Sequence, residues 1–493
     1  MDQAKRLNKT FITLFNNVLK MEEAVLKQSE IQNLSITEIH TLEAIGLGMP
    51  KTMSHVAATL KISVSTLTAA INKLVAKGYV NRFRVPEDRR MVKLELTEAG
   101  VQAVREHEAF HLAMIRDALS QVSTREAEKF IQYLDYVNEF LLMKRVNPTS
   151  NKEVALTPDR IYQGGMGVGI SMSRLASAVA ICGGVGIISA FQPGFAEDDY
   201  DTNPLGANIR VLQKNIKEAL AAVEKAGGKG LVGINIMSMT DHYEDYVKAA
   251  IDAGAQVIVS GGGVPTSLPG ICKGSDVKLI PVISSARAAS VIIRNWTKKH
   301  NRTPDAVIFE GPLAGGHLGF KEEQLGPAQE NFYKMIAEIK TELESFPECK
   351  LIVGGGIYSK NDALKVLACG ADGVQIGSRF VTTKECDAPD SFKQAYLDCA
   401  ESDLGIIKST IGMMGRVIKN DFVEKAEKGP IPIKSCNGCL ITCNRMKASF
   451  CILDALIKTA IGDTRNGLVF CGAKAYKANK IETVKDIFEE FTS

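Results

Sequence analysis

Apolar residues follow two rhythms along this chain, and the change falls near residue 147. Before it they recur at helical spacing. Phe11, Leu14, Phe15 and Val18 share one face of an opening helix. Thr37 is placed to cap a second helix over 37–47, with Glu38 in its first turn, where the helix dipole favours an acid. Two short helices, at 53–60 and 65–77, then flank the turn Lys61-Ile62-Ser63, and Gly78 closes the second. That is the pattern of a helix-turn-helix. Residues 79–83 and 92–96 read as paired strands joined by a charged tip at 84–90, and two more helices reach about residue 144.

Beyond residue 147 the texture becomes glycine-rich, with short β-branched runs between helical segments. Strands are expected at 160–164, 185–189, 231–237, 257–261, 279–284, 306–310, 351–354 and 374–377, with helices such as 207–225, 286–299 and 361–369 between them. Eight strands alternating with helices predict a (β/α)₈ barrel, with an open doubly wound sheet as the competing architecture. The polar stretch 147–152 reads as a linker. The expected organisation is a helical DNA-reading module at 1–146 and a barrel domain at 153–493 that includes a Cys-containing helical extension from about 386.

Composition narrows this further. With 45% hydrophobic and 23% charged residues, a 493-residue chain is ordinary globular protein. The longest uncharged apolar stretch, 175–191, is broken by Gly183, Gly184 and Gly186 and is short for a membrane span. No leader is evident, so the eleven cysteines are expected to be reduced thiols and the protein cytoplasmic, without membrane association. The net charge of +3 is concentrated rather than spread. Nine Lys and Arg between Lys51 and Lys93 face only Glu87, Asp88 and Glu95. Such a patch is the footprint of a nucleic-acid reader, although a solvated surface face gives the same count.

Residues 30–120 resemble a MarR-family winged helix-turn-helix. The resemblance rests on the unit from Met53 to Thr68, on the wing tip Glu87-Asp88-Arg89-Arg90, and on the junction Leu94-Glu95-Leu96-Thr97-Glu98-Ala99-Gly100. The wording is also similar to the branch that represses fatty-acid synthesis genes. The resemblance implies a homodimer on a pseudo-palindromic double-stranded DNA operator. Ser65, Thr66, Thr68 and Lys73 would lie on the recognition helix, where side chains reach major-groove edges or phosphates. Arg84, Arg89 and Arg90 would reach the flanking backbone or minor groove from the wing loop.

In a (β/α)₈ barrel, chemistry gathers at the C-terminal ends of the strands. Gly164-Gly165-Met166 follows the first expected strand, Gly355-Gly356 the seventh, and Gln375-Ile376-Gly377-Ser378 closes the eighth. Glycine lets backbone N–H groups approach a phosphate closely, so these runs point to a phosphate-bearing ligand; tight turns are the plainer explanation of each run alone. Gly315-Gly316-His317-Leu318-Gly319 follows the sixth strand. His317 there is a candidate acid or base, or a loop histidine satisfied by a carbonyl. Asn235, polar within an apolar strand, either meets a ligand or pairs in the core.

Residues 160–385 resemble the FMN-dependent nitronate monooxygenase superfamily, which also contains flavin-dependent enoyl-acyl-carrier-protein reductases. The matching pieces are Gln163-Gly164-Gly165-Met166, Gly233 to Met237, Ala314 to Gly319, Val353 to Ile357 and Gly370 to Phe380. The resemblance implies bound FMN and a catalytic role for His317. Gly164, Gly165, Met166, Asn235, Gly355, Gly356, Gln375, Ile376, Gly377 and Ser378 match flavin-contacting positions. Leu313 and Ser378 depart from common family residues, which leaves the substrate pocket open. Nitronate oxidation with O₂, enoyl-thioester reduction with NAD(P)H, and flavin-based sensing without turnover are the three functional readings. Beyond the barrel, Cys436, Cys439, Cys443 and Cys451 read as a metal site, as redox-active thiols, or as packing cysteines; their spacing matches no common zinc or iron–sulfur pattern.

Overall fold

The computed structural model describes residues 3–28, 33–48, 50–60, 62–85, 88–120, most of 122–137, and 155–493. It divides into two compact units, Met1–Asp135 and Tyr136–Ser493. The expected linker at 147–152 lies outside the described residues.

The first unit contains α1 (Gln3–Gln28), α2 (Ile36–Ile45), β1 (Lys51–Thr52), α3 (Met53–Leu60), α4 (Val64–Ala76), β2 (Val80–Val85), β3 (Asp88–Leu96) and α5 (Glu98–Leu119). Its sheet runs β1-β3-β2, all antiparallel. Ile39, Leu42, Ile45, Val56, Leu67, Ile71 and Leu74 bury the shared face of α2, α3 and α4. Two expectations are corrected here. Thr37 does not cap α2; Ser35 does, its Oγ accepting the Glu38 N–H while the Glu38 carboxylate accepts the Ser35 N–H at 2.8 Å. The wing tip is also less of a loop than its charge suggests. Arg84 ends up on β2 and Arg89 and Arg90 on β3, with Arg84 paired to Val92. Strand pairing is a main-chain interaction, and charged residue types at 84–90 do not oppose it.

The second unit is built on a closed barrel of eight parallel strands: β4 (Ile161–Gln163), β5 (Val185–Ser189), β6 (Leu231–Met237), β7 (Val257–Gly261), β8 (Lys278–Ile283), β9 (Ala306–Glu310), β11 (Lys350–Gly354) and β12 (Gly373–Ile376). β12 closes onto β4 with Gln375 opposite Tyr162 and Ile376 opposite Gln163. Every residue of β5 and β7 is buried, as strands covered on both faces must be. Val185, Ile187, Val257, Val259, Ile280, Ile308 and Ile352 form one buried cluster from five of the strands. The surrounding helices bury Leu212, Ile216, Trp296 and Ile336 against the strands.

The extension is not purely helical. β10 (Gly316–Leu318) pairs with β14 (Met414–Ile418), which pairs with β13 (Leu404–Lys408), in a second, antiparallel sheet. The final helix, Val484–Thr492, is tied back to the barrel through Arg379, just past β12.

Candidate functional site

A cavity of about 450 Å³ opens at the C-terminal ends of the barrel strands. That lies within the roughly 300–1,000 Å³ usual for small-ligand sites. Much of its wall is glycine: Gly164 and Gly165 after β4, Gly355 and Gly356 after β11, and Gly377 after β12. Gly355 and Gly356 turn with φ of +95° and +76°, a bend that other residues adopt only with strain. A Cβ on Gly165 would stand 2.3 Å from the Asn235 Cβ, so the loop after β4 lies flat against β6. At Gly377 the situation is the reverse. The nearest atom to an added Cβ is Met166 Sδ, at an ordinary contact distance of 3.9 Å, so a Cβ fits there without displacing protein. Met166, Asn235, Gln375 and Ser378 also line the cavity. Ile376 does not; it is buried in the core, and its carbonyl accepts the Gly164 N–H at 2.8 Å.

His317 sits on β10, opposite Gly415 of β14, and borders the same cavity. Its Nε2 is 2.9 Å from Ser409 Oγ, and its ring meets Phe470 edge-on at 5.1 Å. Burial pushes its pKa down from 6.5 to about 4, so the imidazole is neutral at ordinary pH. Arg416 on β14 fixes the approach to it, donating from Nη2 to the Pro312 carbonyl at 2.7 Å and from Nε to the Ala314 carbonyl at 3.4 Å.

Three contributors were not singled out from the sequence. Glu310 ends β9 at the cavity and accepts from Gln375 Nε2 at 2.9 Å; burial raises its pKa, which the hydrogen bond partly opposes. Its only signal was an acid closing an apolar strand. Ser409 and Arg416 lie about 100 residues from the loop they hold, and nothing local marks them. The segment 470–474 completes the wall, with the Gly472 N–H donating to Ser378 Oγ at 2.9 Å.

A family model described as nitronate monooxygenase matches residues 149–493. The chain belongs to the nitronate monooxygenase family. Membership implies a flavin-dependent oxidoreductase domain, and the glycine wall over a cavity of this size fits such a group. A second model, described as MarR family, matches residues 32–91, within the winged helix-turn-helix of the first unit. A probable nitronate monooxygenase of Staphylococcus aureus (strain Newman) is 27% identical over 292 residues, which is 55% of this chain and 79% of that protein. Among solved structures, FabK from Thermotoga maritima is 24% identical with a TM-score of 0.52, covering 68% of this chain and 92% of its own. A nitroalkane oxidase from Streptomyces ansochromogenes is 18% identical with a TM-score of 0.53, covering 68% and 96%. At these identities the two structures speak for the fold alone.

In this nitronate monooxygenase family chain the four cysteines do not close into one ligand set. Cys436 is exposed, Cys439 buried and Cys443 and Cys451 partly buried, and no three of these sulfurs come within 4.8 Å of one another. Burial pushes the Cys439 thiol up to about 12, which opposes a reactive thiolate there. Cys439 and Leu440 instead pack with Phe422 and Phe450.

On the MarR-type unit, Ser65, Thr66 and Lys73 are exposed on α4 and Thr68 is partly so. Ser63 caps the helix, and its hydroxyl lies 2.7 Å from those of both Ser65 and Thr66. The Thr68 hydroxyl donates to the Val64 carbonyl at 2.7 Å. Lys73 is therefore the charged group that α4 offers among these four. No described helix is long and apolar enough to cross a membrane.

Proposed function

We propose that the barrel is an FMN-dependent oxidoreductase acting on alkyl nitronates with O₂, and that residues 1–146 form a dimeric module binding a pseudo-palindromic DNA duplex. The observation that carries the enzyme reading is His317: a neutral imidazole on the rim of a glycine-walled cavity at the barrel's catalytic end. FMN, when bound, supplies the electron-accepting chemistry, and O₂ regenerates it. Gly164, Gly165, Met166, Gly355, Gly356, Gly377 and Ser378 would hold it through close main-chain approach, with Asn235 and Gln375 presenting amides. Toward a nitronate, which is already deprotonated, the neutral histidine offers a ring N–H to the nitro oxygens, and toward the parent nitroalkane it can accept the α-proton whose loss forms the nitronate. The Ser409 hydroxyl and Phe470 hold its ring in place.

Enoyl-thioester reduction with NAD(P)H is the second reading. It is favoured by the apolar side of the cavity, where Met237, Leu440, Ile452 and Leu456 offer a surface suited to an acyl chain. Steady-state turnover on each substrate separates the two.

Gly377→Phe is expected to weaken FMN binding strongly without unfolding the barrel. A Cβ fits at this position, and Gly377 lines the cavity, so the new ring competes for the space a flavin would take. Fluorescence titration with FMN checks this; unchanged affinity removes the β12 end from the flavin site.

For the DNA module, the basic excess between Lys51 and Lys93 predicts binding that weakens steeply as salt rises. Lys73→Ala and Arg90→Ala should each lower affinity and reduce the magnitude of the salt slope by about 1. Titrating the gene's own upstream duplex at several salt concentrations measures both. Salt-independent binding, or none, speaks for a scaffold that no longer reads DNA.

A further inference from the structure

One cluster in the first unit has no part in the reading above. His107 and His111 lie four residues apart on α5, so both rings leave the same face. Glu22, on α1, reaches that face as well. One ligand-type atom from each of the three lies within 4.8 Å of the others, and no other such group converges among the described residues. His111 Nε2 is 3.2 Å from Glu22 Oε1. The rings of His107 and His111 meet edge-on at 4.5 Å, and His40 of α2 stands edge-on to His107 at 5.7 Å.

Two atoms of this cluster are buried without a partner: Glu22 Oε2 and His107 Nε2. Their residues are 4% and 3% exposed, so water does not readily supply what is missing. The chemistry of the neighbours says what that is. His107 Nδ1 is 2.6 Å from Glu43 Oε1. A carboxylate only accepts, so Nδ1 carries the hydrogen, and in a neutral ring Nε2 is then a bare lone pair. A lone pair and a carboxylate oxygen are thus buried in one cluster, each without a hydrogen-bond partner. A cation satisfies both at once. The Glu43–His107 pair is also the usual arrangement behind a metal-bound imidazole, in which the carboxylate fixes the tautomer and makes the ring a better ligand.

We propose that Glu22, His107 and His111 bind one divalent transition-metal ion, with His40 placed to complete the set. Imidazole and carboxylate donors without a thiolate suit zinc, and such a site would tie α1 to α5 and, through His40, to α2. A second proton on His107 is the competing way to satisfy the same atoms.

Full-length protein, stripped with a chelator and dialysed, would be titrated with zinc chloride in competition with a chromophoric chelator. The expected result is one zinc per chain at sub-micromolar affinity. Glu22→Gln and His111→Ala, each checked for folding by circular dichroism, should abolish or severely weaken it, and Glu43→Gln should weaken it by about 10–100-fold. Replacing Cys436 and Cys443 by Ser should leave it unchanged, and cobalt in place of zinc should give a spectrum without thiolate charge-transfer bands. The proposal is overturned if stripped protein takes up no zinc, as a doubly protonated His107 requires. It is equally overturned if folded Glu22→Gln and His111→Ala bind zinc like the wild type, or if binding is lost in the cysteine variant.

Discussion

His317→Ala is expected to leave the fold and the bound-flavin spectrum intact while turnover on the best substrate falls by ~10²-fold or more, the usual scale for losing a positioned acid or base. The imidazole borders the cavity and is held by Ser409 and by Phe470, itself part of the cavity wall. Truncation therefore removes a reacting group without removing much of the wall. The pH profile adds a second signature. With the ring's pKa near 4 instead of 6.5, wild-type activity should hold through pH 6.5 and fall only as pH approaches 4. Stability moves in the same direction. As pH falls from about 6.5 to about 4, the unfolded chain takes up a proton at this ring that the folded chain refuses, so the histidine's contribution to folding is progressively lost. That share should be missing from the acid-unfolding curve of His317→Ala. Turnover equal to wild type in the variant would make His317 a structural residue.

Arg379→Met should destabilise the barrel unit by about 3–5 kcal/mol, the scale for removing one partner from a buried ion pair. Arg379 donates from Nε to Glu482 Oε2 at 2.7 Å and from Nη2 to Glu482 Oε1 at 3.0 Å and Glu490 Oε2 at 2.7 Å. Nη1 reaches the Tyr358 carbonyl at 3.1 Å, and the guanidinium lies 5.0 Å from the centre of the Tyr358 ring. Both Arg379 and Glu482 are under 10% exposed, so the substitution leaves a buried carboxylate with only Lys480 nearby, at 3.2 Å. Arg379 directly follows Ser378 of the cavity, so flavin affinity should fall with stability. Denaturant unfolding followed by barrel fluorescence measures the loss. Adding Glu482→Gln should recover part of it by removing the stranded charge; no recovery would place the effect in packing instead.

The sequence made the barrel legible because each strand is a β-branched run bounded by turn residues, and four of the eight expected ranges agree with the structure to the residue. The helix caps were partly legible. Ser35 and Thr37 both precede the same apolar run, but only Ser35 has an acid three residues on, Glu38, and that spacing decides the cap. The sheet of β10, β13 and β14 was not legible. β10 is three residues inside a glycine loop, and its partner lies about 100 residues further along, so the pairing leaves no local trace. Glu310, Ser409 and Arg416 escaped for the same reason: each acts on a residue far away in the chain. His107 and His111 were adjacent in pattern, yet nothing in the spacing announced Glu22 from the opening helix.

The most direct test of the account is turnover by the full-length protein loaded with FMN. An alkyl nitronate under air would be compared with an enoyl thioester plus NAD(P)H, following oxygen uptake in the first and nicotinamide oxidation in the second. The account predicts oxygen uptake that depends on nitronate and on FMN and is lost in His317→Ala. Consumption of the enoyl thioester with the nitronate left untouched would contradict it.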